Sequence, residues 1–276
     1  MKLQKLLQLA CLPILLGTTL TSTEAFSAET DGKNFPDRGM IQLGALFVFD
    51  SDTSFSAGGA KTGIGTTIDF ENDLDGDSTI TTPSFETYYR FNSRHRLELA
   101  VFQLERDGSR VITREITFRD RTFSRSIQID SSINNDIYKL AYAYSFYHAD
   151  RVELAISAGF NVLDYEVRLA SSAGDFAETA STTAPMPVFG FRMDYAVTPR
   201  LTARFRTDSF YFDFEDKIRG SLLELQVGAG YRLLRNFSVG ASLSRLAIAV
   251  DVDDDDFKGR VDDLYRGTRI YGSFYF

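Results

Sequence analysis

The last ten residues of the chain, 267–276, alternate between two kinds of side chain. Apolar or small residues share one face and polar ones the other: Ile270, Gly272, Phe274 and Phe276 against Arg269, Tyr271, Ser273 and Tyr275. A period of two predicts a β-strand with one apolar face. Such a strand, ending on an aromatic residue, would leave an apolar edge exposed in water. Pairing with the first strand would close a barrel in lipid, and a soluble antiparallel barrel or sandwich is the alternative.

The same alternation recurs from residue 39 onward. It is sharpest over 137–147, where tyrosines, Leu140 and Phe146 oppose Lys139, alanines and a serine. With the last strand, the alternating segments number about ten, and no apolar stripe of helical period is long enough for a major helix. We therefore predict an all-β fold, a closed antiparallel up-and-down transmembrane β-barrel over residues 39–276, with about ten strands. Twelve or eight strands remain open.

The connections between these segments alternate in length. Tight turns at 92–95, 148–151, 198–200 and 234–236 alternate with long polar connections at 51–83, 105–136, 171–184 and 251–263, and with a shorter one near 216. Short periplasmic turns and longer extracellular loops are typical of outer-membrane barrels. Aromatic residues cluster near the tight turns and the C-terminus, as a belt at one membrane interface does. The sequence thus predicts a protein of the cell outer membrane.

The segment 111–130 could add two further spanning strands. Its more apolar faces carry Arg114 and Arg125, and an arginine that faces lipid at mid-bilayer costs about 2–4 kcal/mol. We therefore expect a hairpin that stands above the membrane, and ten strands rather than twelve.

The N-terminus predicts export. Residues 1–28 contain Lys2 and Lys5, then an apolar run and small residues, as in a signal peptide cleaved near residues 25–28. Residues 29–38 would form a short periplasmic segment. Cys11 is the only cysteine, so the exported chain would have no disulfide. A net charge of -8 disfavours nucleic acid as a partner, because nucleic acid binds basic surfaces.

If the apolar faces meet lipid, the opposite faces place charged residues in the lumen. These are Glu86, Arg90, Glu98, Lys139, Glu153, Arg192, Asp194, Arg204, Arg206, Glu224 and Arg232. Ten strands enclose a lumen only slightly wider than side chains fill, and poorly hydrated charges must be paired. The near balance of signs therefore predicts a salt-bridged interior that leaves at most a narrow ion path. A structural or surface-interaction role and a narrow passive channel both fit this interior.

Residues for other chemistry are sparse. Outer-membrane hydrolases use histidine as a general base, and omptin proteases have ten strands with catalytic groups at the outer rim. Here His95 and His148 lie in predicted periplasmic turns, so a surface enzyme would have to work without histidine. Asp73, Asp75 and Asp77 are weak candidates for a cation site, because their pattern is more typical of a solvated acidic loop. No cofactor motif is present.

The signal segment, alternating strands, loop asymmetry and terminal Phe276 together resemble the Gram-negative outer-membrane barrels, broadly the OmpA-like and OmpW-like superfamily. Those barrels usually have eight strands, and no active-site residues carry over. The resemblance implies contact with outer-membrane lipid and lipopolysaccharide. It also implies that Phe274 and Phe276 form the C-terminal signal read by the barrel-assembly machinery.

Overall fold

The computed structural model describes residues 37–58, 65–174, 176–214, 218–253 and 258–276. The predicted signal peptide 1–28 and most of the predicted segment 29–38 lie outside these residues. The elements, in chain order, are β1 (Gly39–Ala57), β2 (Ile68–Asp69), α1 (Phe70–Leu74), β3 (Ile80–Arg90), β4 (His95–Val111), β5 (Ile116–Phe118), β6 (Arg121–Phe123), β7 (Gln128–His148), β8 (Val152–Ser171), β9 (Ala177–Ala196), β10 (Leu201–Phe214), β11 (Ile218–Leu234), β12 (Phe237–Asp253) and β13 (Lys258–Tyr275).

Ten antiparallel strands form the wall of a closed barrel. Each pairs with its neighbour in the order β1, β3, β4, β7, β8, β9, β10, β11, β12, β13, and β13 pairs back to β1. At the seam Met40 lies opposite Tyr275, and the Phe276 carbonyl accepts bonds from the amides of Arg38 at 2.8 Å and Gly39 at 2.9 Å. The predicted all-β barrel of ten strands is confirmed, and twelve spanning strands is wrong.

The outward face of β8 shows where the membrane ends. From Val152 to Val162 the outward side chains are apolar, whereas Asp164, Glu166 and Arg168 follow on the same face and are exposed. Eleven residues is the length that a tilted strand needs to cross the hydrocarbon core, about 9–11. The apolar segment therefore spans the bilayer, and the rest of β8 rises above it.

On neighbouring strands, the outward side chains change from apolar to polar at the same level. Asp164 lies opposite Asp136 on β7 and Thr183 on β9, and Asp136 lies opposite Gln103 on β4. Across the seam, outward-facing Asp50 and Arg266 form an ion pair. A closed barrel with this apolar outer band below a polar boundary is an integral protein of the outer membrane.

The strands extend farther than the sequence predicted. The predicted loop 105–136 is mostly strand, because β4 continues to Val111 and β7 begins at Gln128. Likewise β9 begins at Ala177 and β13 at Lys258, inside the predicted loops 171–184 and 251–263. The outer face of these stretches meets water and is therefore polar. For that reason the sequence pattern predicted polar loops there and not strands.

The hairpin β5–β6 and helix α1 close the extracellular end from inside. Asp69 caps α1 by accepting from the Asn72 amide at 2.8 Å, and Asp75 ends it in the left-handed region with φ 57°. The hairpin and helix bury their apolar side chains in one cluster with the upper strands: Phe70, Leu74, Ile112, Ile116, Phe118, Phe123, Ile129, Ile133, Val167 and Leu169. The hairpin was expected above the membrane, and its inward packing was not foreseen. No helix in the described part of the chain is long and apolar enough to cross a membrane.

Candidate site in the barrel lumen

The structure places all eleven charged residues named above on the inner faces of the strands, and each forms an ion pair. They belong to the lower, membrane-spanning part of the barrel. Their pairs are Arg90–Glu153, Arg192–Glu98, Arg204–Asp194, Arg206–Glu86, Lys139–Glu224 and Arg232–Asp37. Alternation puts these side chains inside because successive residues of a strand face opposite sides, and the residues beside them, most of which are apolar, face lipid.

At the periplasmic end the network centres on Glu153. Arg90 holds this carboxylate in a two-bond fork, with Nη1–Oε1 at 2.7 Å and Nη2–Oε2 at 2.6 Å. The Ser145 hydroxyl donates to the same group, and His148 Nδ1 lies 3.9 Å from it. Glu153 is 1% exposed. A buried charge is tolerated only when it is paired and hydrogen-bonded, and Glu153 meets that condition through residues of β3 and β7.

Arg96 joins the two levels of the network. Its Nε lies 2.5 Å from Glu98, and its Nη1 lies 3.5 Å from Asp194 and 3.7 Å from Glu153. Only 2% of its surface is exposed, and its guanidinium lies 5.6 Å from the centre of the Tyr88 ring. Three carboxylates therefore share Arg96 in a volume with little water, and each also pairs with a second arginine.

Deeper in the membrane, Arg192 and Glu86 each pair with more than one of the remaining charged residues. Arg192 donates to Glu98 at 3.0 Å and to both oxygens of Asp208 at 2.8 and 3.1 Å. The Glu86 carboxylate accepts from Arg206 at 3.2 Å and also pairs with Arg269. Lys139 pairs with Glu224 close by. Pairs thus cross the lumen between strands that are not neighbours in the wall.

Four charged members of the network were not predicted: Asp37, Arg96, Asp208 and Arg269. Asp208 continues the even-numbered series of Arg204 and Arg206, so a longer β10 would have included it. Arg269 lies on the polar face of the terminal strand and was passed over. Arg96 lies between the predicted turn 92–95 and the strand predicted to begin at Leu97, and Asp37 lies in the predicted segment 29–38. For Arg96 and Asp208, strand length and not the period was the missing information.

Three small cavities lie in the charged half. Their volumes are about 50, 30 and 10 Å³, and their linings combine network residues with neighbouring polar and apolar side chains. A water molecule needs about 10–15 Å³ by this measure, so each cavity holds a few waters at most. The side chains, and not solvent, fill most of this half of the lumen.

An apolar layer lies directly above the charges. Twelve inward residues from most of the wall strands form it, all 6% exposed or less: Leu46, Val48, Phe102, Leu104, Ile137, Leu163, Met186, Val188, Leu222, Leu246, Ile248 and Tyr265. Phe102 is the contact between the two layers, since its ring lies 4.9 Å from Lys139 Nζ and 5.6 Å from the Arg269 guanidinium. An ion would have to cross this packed layer to pass from the network to the extracellular end.

A second polar cluster lies above that layer, outside the membrane-spanning segments. Arg106 pairs with Glu71 of α1 and donates to the Asp77 carbonyl at 2.7 Å. Tyr165 donates to Asp263 at 3.5 Å. Burial raises the pKa of the Asp263 carboxyl to about 7, against the opposing effects of Thr53 and Arg106, and also raises the pKa of Tyr165. Asp263 is therefore a carboxylic acid that titrates near neutral pH.

The remaining candidate residues are dispersed. His95 begins β4 and His148 ends β7, both at the turn end of the barrel and away from Asp263. Asp73 accepts from the Asp69 amide at 3.0 Å and pairs with Arg114. Asp75 caps α1 and Asp77 follows in the connection to β3. Within the described ranges, no three His, Cys, Asp or Glu side chains converge as a metal site.

Comparison with known proteins identifies the fold. No protein-family model matches the chain, and no curated protein matches it. Among solved structures it resembles the outer membrane protease OmpT of Escherichia coli, with TM-score 0.50, 10% identity, and coverage of 86% of this chain and 97% of that one. Ail, the attachment invasion locus protein of Yersinia pestis, is also similar, at TM-score 0.36, 10% identity and 85% and 99% coverage. The toluene transporter TodX of Pseudomonas putida follows at TM-score 0.33, 8% identity and 87% and 91% coverage. At such identities the likeness to OmpT shows the fold alone.

Proposed function

We propose that the protein is a non-enzymatic outer-membrane barrel with a closed lumen, which serves as a rigid structural and surface-interacting body. The observation that carries this proposal is the apolar layer of twelve residues above the charge network. An ion in a layer of this kind loses its hydration without gaining a partner, a cost of many kcal/mol. The lumen is therefore filled for stability and does not serve passage.

The charge network supports the same reading. A conducting pore usually shows an excess of one sign along its path. Here the described lumenal charges are close to balance: Arg90, Arg96, Lys139, Arg192, Arg204, Arg206, Arg232 and Arg269 against Asp37, Glu86, Glu98, Glu153, Asp194, Asp208 and Glu224. Paired charges of this density act as internal ties between strands.

The surface available for interaction is the outer face of the barrel above the membrane. Its outer face carries Asp164, Glu166 and Arg168 on β8 and comparable polar residues on β7. This face meets lipid headgroups and lipopolysaccharide at its base and the medium above. At the other end Phe274 and Phe276 are exposed on the outer face, 47% and 55%, where we propose that the barrel-assembly machinery reads them.

Conductance in planar bilayers tests the proposal. The wild-type barrel should give no unitary currents, and Arg204→Ala with Arg206→Ala should leave this baseline unchanged, since the apolar layer still closes the path. An open porin inserted under the same conditions controls for incorporation. Discrete channel openings in the wild type, changed in size by the double substitution, would overturn the closed lumen in favour of a narrow channel.

One observation favours a second candidate, a surface enzyme that works without histidine. Asp263 is a buried carboxyl with a pKa raised towards neutrality, beside a cavity near the outer end, and such groups are frequent in active sites. Peptide and lipid hydrolysis assays on wild type and Asp263→Asn test it. Turnover that disappears in Asp263→Asn would establish the enzyme, and no turnover in either would exclude hydrolysis of those substrates at this residue.

A further inference from the structure

The barrel wall is incomplete between β9 and β10 at its extracellular end. The strand β9 pairs with β8 from Tyr195 to Ala177, but with β10 only from Ala196 to Phe189. Phe189 lies opposite Ser209 of β10. Beyond Ser209, β10 continues to Phe214 and pairs with β11 alone. Residues 177–188 of β9 thus have a partner strand on one side only, within the described residues.

Two prolines account for this opening. Pro185 and Pro187 lie just beyond the last β9–β10 pair, opposite Val162 and Phe160 of β8. Alternate residues of a strand direct their backbone groups to opposite neighbours, and the pairing with β8 continues through both prolines. The donors that proline lacks are therefore the ones that would face β10, and a strand edge with proline cannot complete its ladder.

The opening starts inside the apolar band. Its lower end is Phe189 opposite Ser209, and Phe189 is 68% exposed to the surroundings of the barrel. It continues upward past Thr183, which is level with the polar boundary residue Asp164. On β10 its edge is formed by Phe210 and Phe212, whose rings stack with centres 6.3 Å apart and planes 11° apart. The lower end of the mouth, where it meets the outer leaflet, is thus apolar, whereas Ser181, Thr182 and Thr183 lie on the β9 edge above it.

A cavity of about 70 Å³ lies inside the barrel at this level. Most of its lining is aliphatic and aromatic, from β8, β9, β12 and the hairpin: Leu163, Val167, Ala184, Ile248, Val250 and Phe118. Asp263 and Asn135 are polar groups on the same lining. Leu163 directly precedes Asp164, so the lower end of the cavity stands at the height of the lipid headgroups. Because most of the lining is apolar, the cavity favours an apolar occupant.

We propose that this cavity binds a short stretch of hydrocarbon chain from an outer-leaflet lipid, which enters sideways between β9 and β10. The headgroup would remain at its normal height beside the polar boundary. Its chain would turn into the barrel at that height and would not cross water on the way. A chain that comes from the bilayer is already out of water and gains only packing contacts in the cavity, so the site would discriminate between chains by shape.

Lipid retention by the purified barrel tests occupancy. Native mass spectrometry would count molecules of dimyristoyl phosphatidylglycerol retained after detergent has removed the surrounding lipid. Ala184→Phe and Val250→Phe fill the cavity from opposite walls, while Thr183→Phe and Ala249→Phe add the same ring to outward neighbours. Heat-modifiable mobility shows which variants are folded. We expect one retained lipid in wild type and both outward controls, and affinity about tenfold lower in the filled variants, which equals about 1.4 kcal/mol. Equal retention by all folded variants, or none by wild type, would refute the site.

The route of entry is tested by closing the opening. Pro185→Val with Pro187→Val restores the two donors, so that β9 can pair farther along β10. Pro83→Val on β3 is the matched control. It replaces a proline at a strand edge that is already covered, because α1 packs against β4 beside it. We expect the rate at which spin-labelled lipid exchanges into the barrel to fall about tenfold in the double variant, as a barrier increase of about 1.4 kcal/mol would give, and to be unchanged in Pro83→Val. An unchanged rate in the double variant would mean that the occupant arrives from the aqueous side.

Discussion

The lower and upper parts of the barrel are built with opposite polarity. In the membrane, β8 turns Ile156 and Phe160 outward and Glu153 inward; above the membrane the same strand turns Glu166 outward and Val167 inward. The period of the alternation is the same in both parts. The apolar side chains face outward in the lower part and inward in the upper part. The change falls between Val162 and Asp164, at the level where neighbouring strands change too.

This exchange follows from the solvent on each side of the wall. Lipid surrounds the lower part, so apolar side chains are free to face out and the strands must be held together inside by charge pairs. Water surrounds the upper part, so burial of apolar groups in the lumen becomes favourable, as in a soluble barrel. One chain therefore uses ion pairs in its lower half and hydrophobic packing in its upper half as the internal contacts between strands.

The largest effect should come from removing the central cation of the lower part. Arg96→Met leaves Glu98, Glu153 and Asp194 without their shared partner, and breaking a buried ion pair costs about 3–5 kcal/mol. Arg266→Met is the control, because its pair with Asp50 is exposed and such pairs contribute about 0–1 kcal/mol. Urea unfolding in detergent, followed by the loss of heat-modifiable mobility, measures both. Equal losses would mean that the lumenal charges are hydrated.

The next effect is a pH dependence confined to the upper part. The folded pKa of Asp263 is about 7 and lies above the unfolded value of about 4, so the folded state holds a proton that the unfolded state releases. Stability from this group is complete below about pH 4 and is lost as the pH rises towards 7, by at most about 1.4 kcal/mol per pH unit. Asp263→Asn should flatten this slope of unfolding free energy against pH. A wild-type stability that rises over this window would contradict the assignment.

A smaller effect separates inward from outward apolar residues at the boundary. Leu163→Ala should lower the free energy of unfolding by about 2–3 kcal/mol, because it leaves a cavity in the apolar layer. Its neighbour Val162 faces lipid, whose chains can fill the vacated space, so Val162→Ala should cost less than about 1 kcal/mol. The same urea titration compares them. A reversed order would place Leu163 on the lipid side.

Much of the lower part could be predicted from the sequence because a membrane imposes one rule on every strand. Glu86, Arg192 and Glu224 were assigned to the lumen from alternation alone, and the strand count followed from the alternating segments. The upper part was not predicted because Val167 and Leu169 alternate with Glu166 and Arg168 in the opposite sense, and that pattern resembles a polar loop. Arg96 and Asp208 were missed for a related reason, since pattern gives the face of a residue more reliably than the end of its strand.

The most direct test of the exchanged polarity is a site-directed spin-label scan along the outward face of β8 in lipid bilayers, at Ile156, Phe160, Asp164 and Arg168. Cys11 lies in the predicted signal peptide, so each introduced cysteine would be the only one. Labels at the first two positions should be accessible to oxygen dissolved in lipid, and labels at the last two to a water-soluble nickel complex, with the change between Phe160 and Asp164. Uniform lipid accessibility through Arg168, or water accessibility already at Ile156, would contradict the boundary and the polarity exchange with it.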